Sequence, residues 1–381
     1  MATFNQNEIK ITQYEVLDKL PDPFLRADGT RACTPEEFEA HKATLFKSAV
    51  ELQYGTQPPA PEFLEVEELG DGHQSITYRI TTGRVAHPVS FIMRVFMPDT
   101  KQKCPVIING DISFDYLLEP GHISTVTDAG IAYAFFDRLE LAPDIAAAGR
   151  HSQLYSCYPE YTFGALGAWA WGYSRCVDAL EKLGTVDTDW IAFTGHSRGG
   201  KTAMLAGVLD TRAKIVNPNE TCAGACSCYR IHMTGVSEDG LKTQRSETLS
   251  DLCRRFNFWM GPDLKQYAEC EADLPFDEHF LKALIAPRIL LVGEAASDMW
   301  ANPIGSWMTS VAAEEVYALY GKRENLYWYF RSGYHYHKAE DLCMLVSVIN
   351  HHRNGEKLCD GFFSTPFEQP ELIYDWRCPQ I

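Results

Sequence analysis

Short apolar runs alternate with longer amphipathic stretches over most of this chain. Pro105 to Asn109, Ile131 to Phe136, Ile191 to Phe193, Ala213 to Val216, Arg288 to Val292 and Leu326 to Phe330 are short and mostly apolar, and read as strands buried in the sheet. Gln74 to Thr82 and Val89 to Met97 instead alternate apolar with polar, the pattern of half-buried antiparallel strands. Helical periodicity falls between them: Tyr161 to Leu183 with an aromatic face that includes Trp169 and Trp171, Thr202 to Val208, a helix ending over Leu281 to Leu284, Ser310 to Tyr320, and Ala339 to His351. Strands and helices in alternation predict a mostly parallel, doubly wound α/β sheet. Residues 1–60 read as an N-terminal extension packing on this domain, with residues 61–381 forming the domain itself. Within the extension, Leu20-Pro21-Asp22-Pro23-Phe24 is a proline-punctuated loop. Thr34-Pro35-Glu36-Glu37 is a helix start, with a threonine cap, proline in the first turn and glutamate three residues on. That helix should run to about Tyr54, where Gly55 and Pro58-Pro59 stop it. Residues 219–273 form a polar insertion with the least regular pattern, and the tail to Ile381 carries no clear signal.

One turn carries the chemistry. Gly195-His196-Ser197-Arg198-Gly199 lies between the strand Ile191–Phe193 and the helix that begins before Thr202, the strand-turn-helix setting of a nucleophile elbow. Such a turn needs small neighbours because side chains there would strike the adjoining strand and helix. It leaves the serine oxygen at the tip, with helix N-terminal N–H groups aimed at a developing oxyanion. A serine nucleophile needs a base and an orienting acid, which in this arrangement come after it in chain order. His335 and His337, in Ser332-Gly333-Tyr334-His335-Tyr336-His337 after the last predicted strand, are both candidates for the base. His351 and His352 suit a helix C-terminus, and His196 is too closely tethered to the serine to take its proton. Asp298, a short loop after the strand 288–292, and Glu220, after the strand ending near Val216, compete for the acid, and composition does not separate them. Asp251 reads as a solvated charge and Asp341 as a helix residue.

Composition removes other classes. The 381 residues carry a formal charge of −17, and no basic patch offers a phosphate backbone a partner. No run of 18 apolar residues is present to span a membrane, and the N-terminus has neither the basic nor the apolar region of a signal peptide. The 12 cysteines are expected to be reduced thiols of a cytoplasmic protein. Cys222, Cys226 and Cys228 lack a second Cys/His pair at zinc spacing and read as packing residues. No metal or cofactor is expected.

Gly195-His196-Ser197-Arg198-Gly199-Gly200-Lys201 resembles the G-C-S-R-x-G-K signature of the glucuronoyl esterases, the fifteenth carbohydrate esterase family, and their bacterial relatives. Further stretches agree in order: Leu20 to Phe24 with Asp28-Gly29-Thr30, Gly164 to Trp171, Leu274 to Phe280, Ala283 to Arg288, and Asp298 to Pro303. The resemblance covers about residues 20 to 355 and implies an α/β-hydrolase fold with a metal-free serine esterase mechanism. It implies Ser197 as nucleophile, Arg198 as oxyanion contributor, Lys201 and Trp300 as sugar-binding residues, and His335, in the bacterial G-x-H pattern, as base. Glu220 matches the acid position of fungal members and Asp298 that of many bacterial ones. Three features depart from the family. His196 and Tyr336 (or Lys338) stand where secreted members have bridged cysteines; Arg254-Arg255 stand near a family glutamate that touches the sugar; and no secretion signal is seen. Lys201, four residues beyond Ser197, should project on the serine side of the helix, with Arg254 or Arg255 approaching from the insertion. The expected activity is hydrolysis of a sugar-linked carboxylic ester. A deacetylase of acetylated sugars or plant glycosides, and a non-catalytic binding protein on a hydrolase scaffold, are the alternatives.

Overall fold

The computed structural model describes residues 10–72, 75–114, 119–236 and 243–379. β1 (Lys10–Val16) precedes α1 (Pro35–Phe46), which continues through a π-helical segment, Lys47–Glu51, into α2 (Leu52–Tyr54). Gly55, at φ 80°, ends that run where the sequence expectation put the stop. The remaining strands are β2 (Phe63–Gly72), β3 (Ser75–Arg84), β4 (His87–Phe96), β5 (Val106–Asn109), β6 (Ala132–Phe136), β7 (Ile191–His196), β8 (Ala213–Asn219), β9 (Ile231–Val236), β10 (Thr243–Arg245), β11 (Ile289–Ala295) and β12 (Leu326–Arg331). The remaining helices are α3 (His122–Thr127), α4 (Gln153–Cys157), α5 (Ala165–Leu183), α6 (Arg198–Leu209), α7 (Leu249–Arg255), α8 (His279–Ile285), α9 (Pro303–Leu319) and α10 (Ala339–Asn354).

Among the described residues, nine strands form one sheet in the order β12-β11-β8-β7-β5-β6-β4-β3-β2. The six strands from β12 to β6 pair in parallel; β4 meets β6 antiparallel, and β3 and β2 extend that edge as a meander. This is the predicted α/β-hydrolase sheet. The period-two geometry of a strand sends alternate side chains to opposite faces. Val106, Ile108, Phe193, Val216, Leu290 and Trp328 face one core, whereas Ile107, Ala192, Ile215, Leu291 and Tyr327 face the other. The first core is covered by α5, α6, α8 and α9, the second by α3 and α10, so the central strands are apolar on both faces.

Three features go beyond the sequence expectation. α9 begins at Pro303 rather than Ser310, capped by Asn302, whose Oδ1 accepts the Gly305 N–H at 3.0 Å. The irregular stretch 219–273 supplies β9 and β10, and β1 adds to β9 antiparallel, making a separate three-stranded sheet. The described residues of the tail form no helix or strand but are anchored. Trp376 stacks on His279 at 5.6 Å, meets Phe24 edge-on at 6.2 Å, and donates its Nε1–H to the Leu20 carbonyl at 2.9 Å. Phe24, Phe38, Leu45 and Tyr54 from the N-terminal segment share the core of the α/β domain. Among the described residues, no helix is long and apolar enough to cross a membrane.

Candidate active site

Ser197 stands at the junction of β7 and α6 with φ 56° and ψ −120°, a strained left-handed conformation for a residue with a side chain. Its N–H donates to the Asn219 carbonyl at 2.9 Å, and its own carbonyl accepts the Lys201 N–H at 2.9 Å, which starts the helix. The glycines around it are sterically required. A Cβ on Gly195 would strike the Gly199 carbonyl, one on Gly200 would lie 2.6 Å from the Asn219 carbonyl oxygen, and one on Gly199 would run into the Asp111 carboxylate. Asp111 is the floor of the elbow. It accepts the His196 N–H at 3.1 Å and pairs with Arg138, both side chains being fully buried. Arg138 in turn lies 4.3 Å from the Phe114 ring centre and 4.9 Å from that of Trp169. Burial lowers the Arg138 pKa to about 9 against the pull of Asp144. Sequence reasoning missed this ion pair because its members lie on different loops and belong to no local motif.

The other candidate groups emerge, like Ser197, from the carboxyl ends of neighbouring parallel strands, where open α/β sheets assemble their sites. Glu220 follows β8 at φ 45°, Asp298 follows β11, and His335 follows β12. His335 Nδ1 lies 2.6 Å from Asp298 Oδ2 and 3.4 Å from Glu220 Oε2. The two competing acids therefore converge on one imidazole nitrogen, with Asp298 the nearer. Burial opposes the charged form of His335, but the hydrogen bonds and negative charges of Asp298 and then Glu220 prevail and raise its pKa to about 10. Glu220, fully buried, is pushed well above the usual carboxylate range by desolvation, against its bonds to His335 and Arg331.

Arg331, the last residue of β12, holds this loop in place. Its Nε lies 3.0 Å from both Asp341 oxygens; one Nη bonds Glu220 and the Tyr336 carbonyl, and the other donates to the carbonyls of Ser332 and Tyr334 at 3.1 and 3.3 Å. Asp341 is thus a buried anchor at the start of α10, beyond the simple helix residue expected. His337 is buried away from the carboxylates, its Nε2 3.3 Å from Asn219 Nδ2, and burial, reinforced by Arg331, drops its pKa to about 3. Of the two candidate bases, the structure brings only His335 to the acids.

The residues expected on the substrate side are placed differently from one another. Arg198 binds Asp144 at 2.7 Å and lies 5.0 Å from the Trp259 ring centre, while Asp144 also accepts the Trp259 Nε1–H at 2.7 Å. Lys201 is buried, with its ammonium 3.2 Å from Glu247 and bonded to the Thr221 carbonyl. The Glu247 N–H donates to the Trp300 carbonyl at 3.0 Å. Trp300 lines a pocket of about 440 Å³ with Gln244, Arg245, Tyr334, Asp298 and His335, and the Arg245 and Arg255 guanidiniums each lie 5.5 Å from its ring centre. Arg255 does approach from the insertion, whereas Arg254 pairs with Glu269 on the surface. Asp251, expected to be a solvated charge, is instead buried. It forms the capping box of α7 with Thr248 and binds Arg245 through both oxygens, because the helix N-terminus and the guanidinium compensate its desolvation.

All 12 cysteines are free thiols, and Cys222, Cys226 and Cys228 are buried. Donor atoms of His196, Glu220 and His335 lie within 4.8 Å of one another, as do those of Cys222, Asp298 and His335. The carboxylates of these groups are already engaged by Arg331, by the Tyr336 N–H and by the His335 ring, an arrangement suited to holding a proton.

Comparison with known proteins agrees with this fold. The family described as "Glucuronyl esterase, fungi" matches residues 80–321. The 4-O-methyl-glucuronoyl methylesterase of Neurospora crassa is 31% identical over 310 residues, 80% of this chain and 74% of that protein. A carbohydrate esterase family 15 glucuronoyl esterase from Caldicellulosiruptor kristjansonii superposes with a TM-score of 0.82 at 26% identity, over 96% of this chain and 98% of that one. A glucuronoyl esterase from Sporotrichum thermophile, a serine-to-alanine variant in complex with methyl 4-O-methyl-β-D-glucopyranuronate, superposes at 0.72 with 25% identity, over 95% and 93%. With its serine elbow and His335 held between Asp298 and Glu220, the chain belongs to the glucuronyl esterase family, carboxylic ester hydrolases built on the α/β-hydrolase fold.

Proposed function

We propose that the protein hydrolyses an ester of a 4-O-methyl-glucuronic acid type sugar, with Ser197 as nucleophile and His335 as base. The observation that carries this reading is the His335 ring, whose Nδ1 lies 2.6 Å from Asp298 and 3.4 Å from Glu220 beside the elbow that carries Ser197. Ser197 Oγ attacks the ester carbonyl while His335 takes its proton, and the imidazolium is stabilised chiefly by Asp298. The oxyanion is held by N–H groups at the start of α6 and by Arg198, each such donor contributing about 3 kcal/mol in comparable sites. His335 returns the proton to the departing alcohol. Water then repeats the sequence on the acyl-enzyme and releases the free acid. Trp300 lines the pocket that would take the sugar ring, with the Arg245 and Arg255 guanidiniums beside its indole, and Lys201, buried and paired with Glu247, is joined to the Trp300 wall through that residue. We also assign the protein to a reducing compartment, the cytoplasm, in keeping with its free thiols.

The test is hydrolysis of a methyl 4-O-methyl-glucuronate and of a neutral aryl acetate. Ser197→Ala should lose turnover of both while keeping the wild-type fold. Lys201→Ala should lose much more kcat/KM on the uronate than on the acetate. A folded Ser197→Ala variant with near-normal turnover would remove the mechanism, and equal loss on both esters in Lys201→Ala would remove the uronate assignment.

A further inference from the structure

The catalytic imidazole is under-constrained by its hydrogen bonds alone. His335 sits on a loop between Tyr334 and Tyr336, which are 49% and 38% exposed, and its own side chain is 37% exposed. A hydrogen bond through Nδ1 restrains one atom of the ring but leaves the tilt of its plane to the side-chain torsions and to the exposed loop that carries them. The His335 ring meets that of His196, with centroids 4.4 Å apart and planes at 44°.

His196 is itself immobilised. It ends β7, its N–H is tied to Asp111, and its ring lies parallel to that of His337 at 5.8 Å and 9°. His337 meets His122 edge-on at 5.1 Å, and His122 stacks on Tyr133 of β6 at 6.0 Å. Three buried imidazoles thus connect the sheet to the exposed one. The charged groups around His196 are Arg331, Arg138 and His335 on the positive side, and Asp111 and Glu220 on the negative side. Burial first, then the neighbouring cations, push the His196 pKa well below its usual value, so the backing ring stays neutral when His335 becomes an imidazolium.

We propose that His196 is a positioning residue for this esterase: its ring face fixes the plane of His335 so that Nδ1 addresses the two acids and the opposite nitrogen addresses Ser197. This rests on the reading of His335 as the base. The role needs an aromatic face and no proton transfer, so the phenylalanine variant should replace it and aliphatic or amide variants should not.

The experiment compares His196→Phe, His196→Ala and His196→Gln with wild type, with His335→Ala as the reference. His196→Ala should lower kcat by about a hundredfold, as a misplacement of roughly 1 Å does, with KM unchanged. His196→Phe should keep most of the wild-type kcat. The downfield Nδ1–H proton resonance of His335 should persist in His196→Phe and broaden away in His196→Ala. If His196→Ala does not fold, His196→Gln stands in its place with the same expectation. Wild-type kcat in the Ala or Gln variant, equal losses in Phe and Ala, or retention in Gln with loss in Phe would each overturn the proposal. High turnover in His335→Ala would instead overturn the base assignment, a result separable from all of these.

Discussion

Asp298 and Glu220 reach the same imidazole nitrogen, but they are not equivalent partners. Asp298 is nearer, while Glu220 is bound to Arg331 and the Tyr336 N–H. The residue that keeps His335 in its productive tautomer should therefore be Asp298. Asp298→Asn is expected to reduce kcat by about a hundredfold or more, in line with the loss of the orienting acid in other triads. Glu220→Gln should cost much less; steady-state kinetics on one ester substrate ranks the two, and the reverse order would exchange their roles. The raised pKa of His335 has a second outcome. Its base form appears only as pH rises toward about 10, so kcat/KM should still be climbing above pH 8. In Asp298→Asn the rising limb should move to lower pH, because the largest contribution holding the proton is gone. The stability linked to this group has the opposite sense. It is fully present below the unfolded value near 6.5 and is lost as pH rises through the folded value.

At the scale of elements, the site depends on how the loop after β12 is closed. Arg331 gathers Glu220, Asp341 and three loop carbonyls into one buried knot. Arg331→Met should leave two buried carboxylates without their cation, costing about 3–5 kcal/mol in urea unfolding, a range typical of a broken buried pair. Much of the site was legible along the chain. Ser197, Asp298, Glu220 and His335 each come after an apolar run, and a parallel sheet gathers at one edge the loops that leave its strand ends. The choice between His335 and His337 was not legible from the residues alone, since it turns on which imidazole the carboxylates reach. Nor were Asp111–Arg138 or the Arg331 knot, whose partners are far apart in sequence and acquire meaning only when strands are adjacent. Asp251 was misread for a related reason, as its partner Arg245 lies on β10, a strand the irregular insertion did not announce.

Across the whole molecule, the segments 19–31 and 373–377 are neighbours. Lys19 pairs with Asp375, Arg31 donates to the Arg377 carbonyl at 2.6 Å, and Trp376 fills the space beside Phe24 and His279. Trp376→Ala should cost about 3–5 kcal/mol, as removal of a large buried aromatic does. Thermal unfolding checks this, with kcat of the folded variant unchanged because the contact is remote from His335. A loss below about 1 kcal/mol would show that the tail merely rests on the surface.

The bond from Trp376 to Leu20 joins residues 356 positions apart. During synthesis from the N-terminus, everything between them must leave the ribosome before this contact can form. Until then the pocket around Phe24 faces solvent, although the sheet that carries Ser197 is already complete through β12. A nascent chain can thus possess its elbow and its acids while an apolar seam stays open, and that seam is where a chaperone or a second nascent copy would find it. Closure of this contact therefore waits for Trp376, although its partner Leu20 is made 356 positions earlier.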